Sequence, residues 1–410
     1  MKTKYFLIIL ILILFYSFSY SQDYWESIYS SGGSILCLSI NSIGYLFTGT
    51  QNGIYRSIDN GNNWEYVGLE NISVYCLTIN SNNNIFAGTG GYYNIYRSID
   101  NGANWTPQYS NPNASNIISL TINSYGDIFA GSGGDYSIIR SIDNGSSWEL
   151  LLSLSDCEDV KSIVENSEGI LFAGTTNWIG EGGGVYRSTD QGENWEHIGL
   201  EYEYISSLAI NSNDEIFVGS RGQHYEYGGG VFRSSDNGET WTELRDDVLV
   251  TSIAIDSEEK IFIGCSSLDY EIGAVWVSED NGENWQLIES DLIGIYTCIE
   301  FLLISEDDYV YAISYESISH IYRSVQPTVG IDDFSIQKIT DIKLSNYPNP
   351  FKPSVAGRIP GTTISYELPV NVENPVIEIF NIKGEKIRQY SIFNFQSSIV
   401  WDGTDENNQP

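Results

Sequence analysis

Acidic and aromatic side chains cluster in a few glycine-rich segments of the chain, where they could bind or cleave a carbohydrate. Tyr and Trp faces stack on sugar rings, and two carboxylates about 5–10 Å apart can hydrolyse a glycosidic bond. The carboxylate candidates are Glu181, Glu226, Asp269 and Glu271. The aromatic candidates are Tyr92, Tyr93, Tyr136, Trp178, Tyr225, Tyr227 and Tyr270. Because such segments are common in an acidic, tyrosine-rich chain, we favour ligand binding over catalysis and assign no catalytic residue.

Other kinds of chemistry find little support in the sequence. It shows no His/Cys cluster with metal-ligand spacing, no glycine-rich phosphate loop between a strand and a helix, and no Ser–His–Asp set. We therefore expect neither a metal nor another cofactor. The chain has 54 Asp+Glu against 19 Lys+Arg and a net charge of −35, which excludes nucleic acid as a partner because phosphate binding needs clustered cations.

A repeated octapeptide predicts the elements that position these residues. Ser-x-Asp-x-Gly-x-x-Trp occurs six times at intervals of 41 to 47 residues, a period typical of propellers and solenoids. Its Asp is expected to accept backbone N–H groups in a tight turn, and its Trp to pack on the neighbouring sheet. These structural residues are Asp59, Asp100, Asp143, Asp190, Asp236 and Asp280, with Trp64, Trp105, Trp148, Trp195, Trp241 and Trp285.

Each repeat reads as four short β-strands, which predicts one blade of a propeller. The first strand recurs seven times, and its third position is small in every copy if the last copy is aligned as Tyr296–Phe301. That alignment places Cys37, Cys76 and Cys298 at one packing position near the axis, with no role in a disulfide or a metal site. The seventh repeat lacks the octapeptide, so Trp25–Ile28 is predicted to supply its fourth strand and to close the ring.

The alternation of strand direction divides the loops between two faces. The octapeptide turns join third to fourth strands and share one face. The loops between second and third strands lie on the opposite face, together with the links between blades. All the candidate ligand residues fall in these second loops, so we expect the site on the face opposite the octapeptides.

The octapeptide resembles the Asp-box (BNR) repeat of sialidases, xyloglucan hydrolases, sortilin-type receptors and photosystem II assembly factors. The resemblance covers residues 22–326 and implies a seven-bladed β-propeller, but those families share a fold and little chemistry. Arg358-Ile359-Pro360 spells a tripeptide that carries a substrate-binding arginine in sialidases. It follows the propeller here, so the sialidase activity is not carried over.

The C-terminal segment resembles the sorting domain of type IX secretion, which is Ig-like. The match rests on Tyr347-Pro348-Asn349-Pro350-Phe351 and Trp401-Asp402-Gly403-Thr404-Asp405 within residues 341–410, after a linker at 327–340. The family continues with further strands past the point that corresponds to Pro410, so we interpret this domain as incomplete and the sequence as a fragment. The resemblance implies the type IX secretion machinery as a partner.

The N-terminal segment has the features of a secretion signal. Lys2 and Lys4 precede an apolar run, Tyr5–Phe18, and small residues allow cleavage after residue 21. The run is short for a membrane span, so we expect no transmembrane anchor in the mature chain and a secreted or cell-surface location.

Taken together, these features predict an all-β chain with a propeller at 22–326 and a partial Ig-like domain. The favoured function is non-enzymatic binding of an extracellular glycan or protein. The alternatives are a glycoside hydrolase that uses the loop carboxylates and an assembly or adhesion scaffold without a small ligand.

Overall fold

The computed structural model shows an all-β chain, whose described residues form strands and turns and no helix. It describes residues 24–31, 33–91, 94–110, 116–134, 137–153, 159–176, 183–222, 229–266, 274–288, 298–315, 318–328, 343–347, 362–367, 376–380, 386–391 and 396–401. These residues belong to two compact units, one within Asp23–Val329 and the other with its strands beyond Gly330. Within the described ranges, no helix has the length and apolar character that crossing a membrane requires.

Antiparallel four-stranded meanders build the larger unit. Its first half contains β1 (Trp25–Ser31), β2 (Ile35–Ile40), β3 (Leu46–Thr50), β4 (Gly53–Ser57), β5 (Glu65–Gly68), β6 (Val74–Ile79), β7 (Ile85–Thr89), β8 (Ile95–Ser98), β9 (Thr106–Tyr109), β10 (Asn116–Ile122), β11 (Ile128–Gly133), β12 (Ser137–Ser141) and β13 (Glu149–Ser153). Its second half contains β14 (Asp159–Glu165), β15 (Leu171–Thr176), β16 (Gly184–Ser188), β17 (Glu196–His197), β18 (Ile205–Ile210), β19 (Ile216–Ser220), β20 (Gly230–Ser234), β21 (Thr242–Arg245), β22 (Leu249–Ile255), β23 (Ile261–Ser266), β24 (Val275–Ser278), β25 (Gln286–Leu287), β26 (Cys298–Ile304), β27 (Val310–Tyr315) and β28 (Ser319–Ser324).

The pairing of these strands follows their order in the sequence. Among the described residues, β2–β5, β6–β9, β18–β21 and β22–β25 each form a separate four-stranded sheet. The meanders β10–β13 and β14–β17 join into one eight-stranded sheet through the pair Gly133–Asp159. Each of these six meanders begins with an inner strand and ends with an outer strand of two to five residues that is at least partly exposed.

Burial of the second strand explains how the meanders pack. The strands β3, β7, β11, β15, β19 and β23 are buried at nearly every residue, and each carries one fully buried phenylalanine. These are Phe47, Phe86, Phe129, Phe172, Phe217 and Phe262. A strand buried on both faces needs an apolar or small residue at each position, which accounts for sequences such as Ile85-Phe86-Ala87-Gly88-Thr89.

A glycine in the second strand lets neighbouring meanders approach closely. A Cβ built on Gly88 would lie 2.3 Å from the sulfur of Cys76 and 2.7 Å from a methyl group of Ile117 in the next meander. Gly219 is equally confined, because its Cβ would lie 2.5 Å from Val250 of the next inner strand. Any larger side chain at these positions would push the inner strands apart.

The last meander has a different register from the one that the sequence alignment predicts. Every inner strand carries a bulge, and in β26 it lies between Ile299 and Phe301, where β2 has it between Ile35 and Cys37. Phe301 therefore takes the third position, and the assignment of Cys298 to that position is wrong. Ile313 likewise replaces the second-strand glycine, so this junction is filled by large apolar side chains. The alignment from the sequence is three residues too early, because this segment contains two overlapping apolar runs. Periodicity alone does not decide which run forms the inner strand.

The N-terminal strand completes the last sheet, as the sequence predicts. Strand β1 pairs antiparallel with β28 from Trp25–Ser324 to Ser31–Ser319, which gives the sheet order β1-β28-β27-β26. Trp25 is buried in the cluster of Phe262, Val275 and Ile299, which belong to the preceding meander and to β26. The two ends of the unit are thus held together by strand pairing, and the outer edge of β28 is covered.

The smaller unit contains five described strands. They are β29 (Lys343–Tyr347), β30 (Thr362–Glu367), β31 (Val376–Phe380), β32 (Lys386–Ser391) and β33 (Gln396–Trp401). Strands β29, β30 and β33 form an antiparallel three-stranded sheet, and β31 pairs with β32 in a two-stranded one.

Removal of Trp25–Ser31 should lower the melting temperature sharply, because β28 would lose its partner and the cluster around Trp25 would open. The point variant Trp25→Ala should lower the free energy of unfolding by about 3–5 kcal/mol, the usual cost of truncating a buried tryptophan. Thermal and urea denaturation measure both effects. Tyr315→Ala, which truncates an exposed aromatic residue of the same sheet, is the control. A deletion variant that melts like the full chain would contradict closure by β1.

Candidate functional site

One cavity lies where the inner strands of all the meanders converge. It has a volume of about 480 Å³ and is lined by residues of β2, β6, β10, β14, β18, β22 and β26. Thr176 at the end of β15 and Arg221 just after β19 also line it, where second loops begin, and so does Tyr204 in the link just before β18. The cavity therefore opens on the face opposite the octapeptides, where the sequence places the ligand site.

The wall of the cavity is apolar on one side and polar on the other. The second residue of each inner strand supplies this pattern. In chain order these residues are Leu36, Tyr75, Ile118, Lys161, Ser206, Thr251 and Glu300. The first three meanders thus contribute apolar and aromatic surface, and the remaining ones contribute charge and hydroxyl groups.

Two ion pairs stand at the polar side. Arg221 Nη2 lies 3.1 Å from Glu300 Oε2, which connects the end of β19 with the inner strand β26. Lys161 Nζ lies 2.7 Å from Asp159 Oδ2 on the same strand. All four side chains are partly exposed, and exposed ion pairs contribute about 0–1 kcal/mol to stability. Their arrangement therefore suits recognition better than it explains folding.

Two buried polar atoms at this cavity have no hydrogen-bond partner among the described residues. They are Nε of Arg221 and Oγ1 of Thr176. The neighbouring hydroxyls differ, since Ser206 Oγ donates to Val250 O at 2.6 Å and Thr251 Oγ1 donates to Gly264 O at 2.7 Å. Buried polar groups are normally satisfied, and these two atoms are the exceptions among the described residues that line the cavity.

The residues proposed from the sequence as ligands lie outside the described residues. This applies to the carboxylates Glu181, Glu226, Asp269 and Glu271, and to Tyr92, Tyr93, Tyr136, Trp178, Tyr225, Tyr227 and Tyr270. In the sequence, the segments that carry Trp178 and Tyr225 follow Thr176, the last residue of β15, and Gly222, two residues after the end of β19. The sequence analysis missed Lys161 and Glu300, because it searched the loops and treated the inner strands as core. The signal was available for Lys161, a charged residue at the second position of an inner strand whose other aligned copies are uncharged. It was not available for Glu300, because the alignment Tyr296–Phe301 puts this residue at the fifth position and only the structure brings it to the second.

Cys37 and Cys76, which line the cavity, are free thiols. Burial raises the pKa of Cys37 to about 12 and holds that of Cys76 well above its usual value. Their Sγ–H groups point to the backbone carbonyls of Val74 and Ile117 in the next meander, at 3.7 and 3.6 Å. Ser119 uses its hydroxyl in the same way toward Val160 O at 2.7 Å. These small residues connect inner strands, and none is placed as a thiolate nucleophile.

The octapeptide turns carry the aspartates that the sequence singled out. Asp59 Oδ1 accepts hydrogen bonds from Ser57 Oγ at 2.9 Å and from the backbone N–H of Asn63 at 2.8 Å. Asn60 and Gly61 both take positive φ, 56° and 87°, a turn conformation that Asn and Gly adopt readily. The same bonds recur at Asp100, Asp143, Asp190, Asp236 and Asp280. They hold the pKa of each aspartate below its usual value, that of Asp143 at about 2.

Arginines of the repeat, and three of its tryptophans, connect a turn to the preceding meander. Trp105 Nε1 donates to Val67 O of β5 at 3.0 Å, and Trp241 Nε1 donates to Ile198 O at 2.9 Å. An arginine just before each of five octapeptides, and Arg323 in β28, donates Nη1–H to a backbone carbonyl in the next turn at 2.5–2.9 Å. The pairs are Arg56–Asn101, Arg97–Asn144, Arg140–Gln191, Arg187–Asn237, Arg233–Asn281 and Arg323–Asn60. The last pair connects the final meander to the first.

At the junction between the meander β22–β25 and the last meander, both the arginine and the octapeptide turn that would accept its hydrogen bond are missing. Val277 occupies the arginine position of β24, and no octapeptide follows β28. Lys260 substitutes for the missing connection, because its buried ammonium donates to the backbone carbonyl of Thr328 at 3.1 Å. The arginine is thus present only where the following turn offers a carbonyl to it.

Comparisons with known proteins agree with the fold. The BNR/Asp-box repeat model matches residues 186–197, which contain the fourth octapeptide. A comparison with curated proteins finds no match. The structure of YCF48 bound to D1 peptide is similar, with a TM-score of 0.59 and 15% identity over 77% of this chain and 99% of that one.

Two further solved structures have similar folds. PorZ of Porphyromonas gingivalis, described as an essential surface component of the type IX secretion system, gives a TM-score of 0.54 and 13% identity over 91% of this chain and 55% of that one. Virginiamycin B lyase of Staphylococcus aureus gives a TM-score of 0.57 and 13% identity over 73% of this chain and 97% of its own. At these identities the likeness shows a propeller-like fold.

Arg187→Ala should lower the free energy of unfolding by about 1.5–3 kcal/mol, the usual value of hydrogen bonds to a charged group. The variant loses the bond to Asn237 O and the ion pair with Glu239 at 2.9 Å. Urea denaturation monitored by tryptophan fluorescence measures the change. Val277→Arg is the matched control and should bring no stabilisation, because the next turn lacks an octapeptide. If Val277→Arg raised the free energy of unfolding by as much as Arg187→Ala lowers it, the arginines would be acting without their carbonyl partners.

The aspartate turns should make folding sensitive to acid. A carboxylate whose pKa is lower in the folded chain stabilises it above the unfolded value of about 3.9, and this contribution disappears as pH falls through the folded value. Asp143→Asn should therefore melt below the parent chain at pH 6, and the gap should close as pH approaches about 2, the pKa of Asp143. Circular dichroism melts across pH 2–6 test this. Glu279→Gln, an exposed carboxylate at the second octapeptide position, should show no such gap; a gap at Asp143 that is constant with pH would refute the assignment.

Proposed function

We propose that this chain is a secreted or cell-surface seven-bladed β-propeller that binds an extracellular glycan at the mouth of its central cavity and does not cleave it. The proposal rests on one observation: an apolar wall of Leu36, Tyr75 and Ile118 shares a cavity with the Arg221–Glu300 ion pair. This cavity lies on the face from which the aromatic loops leave.

The chemistry of a sugar ring matches that arrangement. A pyranose has an apolar face of C–H groups and an edge of hydroxyl groups. The phenol ring of Tyr75 offers a surface for the face, as aromatic residues do in ligand pockets. A carboxylate accepts from hydroxyls and a guanidinium donates to them, so Glu300 and Arg221 can hold two neighbouring hydroxyl groups. Lys161 and Asp159 supply a second such pair, and the loop tyrosines and Trp178 would extend the surface.

Binding is favoured over hydrolysis by the number of carboxylates at the cavity. Glycoside hydrolysis needs two carboxyl groups about 5–10 Å apart, one of them protonated. Among the described residues that line the cavity, Glu300 is the one carboxylate, and Arg221 Nη2 lies 3.1 Å from its Oε2. The described wall therefore provides one carboxylate where hydrolysis needs two.

The proposed cellular location and domain architecture of the protein are inferred from its sequence. A signal peptide at 1–21 and an Ig-like sorting domain at 341–410, both proposed from the sequence, would direct the chain to export by the type IX machinery. The similarity of fold to a surface component of that system in another bacterium supports an extracellular setting. We propose a partner that is a glycan or protein outside the cell, with no nucleic acid and no membrane anchor in the mature chain.

A glycan array with the full chain, followed by calorimetry on the best ligand, tests the proposal. Arg221→Ala and Glu300→Gln should each weaken binding by about tenfold or more, since a hydrogen bond to a charged group contributes about 1.5–3 kcal/mol. The melting temperature should stay within about 2 °C of the parent value, because exposed ion pairs contribute little to stability.

Asp247→Asn is the matched control, because it breaks an arginine–carboxylate pair, with Arg245, that does not line the cavity. Its affinity should equal that of the parent chain. A folded chain that binds no glycan on the array would overturn the proposal. Release of reducing sugar from a bound glycan would replace it with the hydrolase alternative.

A further inference from the structure

Three isoleucines at one position of the repeat are exposed to solvent. They occupy the second place of the first three octapeptides, where Ile58 is 57%, Ile99 70% and Ile142 67% exposed. Their meanders, β2–β5, β6–β9 and β10–β13, follow one another in the sequence. Single exposed apolar residues are ordinary, but repetition of the same one at equivalent positions requires another explanation.

The turns beside these octapeptides expose further apolar side chains. The turn between the first and second strands lies on the same face, and its third residue is Ile43 in one meander and Tyr125 in another, 56% and 73% exposed. The Asn41 side chain of the first of these turns donates to Asn101 Oδ1 at 3.3 Å, so Ile43 and Ile99 belong to turns in direct contact. These five residues, Ile43, Ile58, Ile99, Tyr125 and Ile142, are named here the apolar half of the octapeptide face.

The equivalent positions in the later meanders are polar or acidic. The second octapeptide residue becomes Thr189, Ser235 and Glu279, and the turn residue becomes Glu168, Asn213, Glu258 and Asp307. The sixth octapeptide residue is uncharged in the first three copies and is Glu193, Glu239 and Glu283 in the next three. The octapeptide face is therefore divided into an apolar half, where Asn82 is the one polar residue at the turn position, and an acidic half.

We propose that this face is a docking surface for a protein partner that presents apolar side chains flanked by lysine or arginine. Apolar anchors with a charged rim are the ordinary anatomy of an interface, and opposite charge on the partner steers and aligns the complex. A second copy of this chain is disfavoured as the occupant, because the net charge of −35 makes two copies repel each other. The surface is on the opposite side from the glycan site, so the two proposals stand or fall separately.

The apolar half is not required by folding. The same turn forms with Thr189 or Ser235 in place of isoleucine, and the bonds from Ser188 and Ser234 to their aspartates have the lengths found in the first three copies. Exposed apolar groups at these positions therefore do not help the turn, and their recurrence on one face of neighbouring meanders points to an interaction site.

A fluorescein-labelled synthetic peptide of 18 residues, with leucines along one face of a helix and lysines elsewhere, is a suitable probe. It should bind the full chain in a fluorescence anisotropy titration at physiological salt. The variant Ile58→Glu/Ile99→Glu/Ile142→Glu should bind it at least about tenfold more weakly, the loss expected when roughly 1.4 kcal/mol of apolar contact is removed. The altered side chains are exposed, so the melting temperature of this variant should match that of the parent.

The matched control is Thr189→Glu/Ser235→Glu, which adds charge at the same octapeptide position in the acidic half. It should keep the affinity or raise it slightly. Peptides with serine for leucine or glutamate for lysine should bind at least about tenfold more weakly than the probe. The proposal is overturned if the parent chain does not bind the probe, or if the triple variant binds it equally or more tightly, as attraction by charge alone requires. Sedimentation showing that the parent chain dimerises and the triple variant does not would also overturn it, in favour of a second copy.

Discussion

The structure depends on one constraint, which is that each meander must be bound to the next all the way around the unit. One repeat of a propeller cannot bury its apolar faces alone, and stacking on its neighbours supplies the core. The arginines that donate to a carbonyl in the next turn, and the tryptophans Trp64, Trp105 and Trp241 that bond back to the previous meander, supply these connections. The two ends of the unit are connected in the same way, because β1 pairs with β28 and Arg323 donates to the backbone carbonyl of Asn60.

Satisfying this constraint on one face leaves the other face free to vary. The octapeptide turns need a fixed set of side chains, whereas the sequences of the second loops differ in length and composition. The inner strands are held by small residues and glycines, which bring the second residue of every strand to a common cavity. Function can therefore change by substitution at a few positions, such as Lys161 and Glu300, without a cost to the connections between meanders.

The repeat also makes departures from it informative. Val277, Lys260 and the absent seventh octapeptide occur at one junction, which shows that the arginine and its acceptor act as a pair. The division of the octapeptide face into an apolar and an acidic half is visible only because the remaining features of the turns are constant. At the junction and on the octapeptide face, the meaning of a substitution follows from comparing it with the equivalent residue of the other repeats.

The sequence by itself determined the repeat, its four strands and the strand that closes the last sheet. These are local properties, because the residues of a turn, the alternation of apolar and polar residues in a strand, and Trp25 at the start of β1 can each be recognised within a few residues. Tertiary structure alone decided the register of β26, where two apolar runs compete and the bulge between Ile299 and Phe301 settles the choice. It also decided the cavity, since Arg221 and Glu300 lie 79 residues apart and meet because the inner strands converge. Periodicity carries no information about such a distance, which depends on how every meander packs against its neighbours.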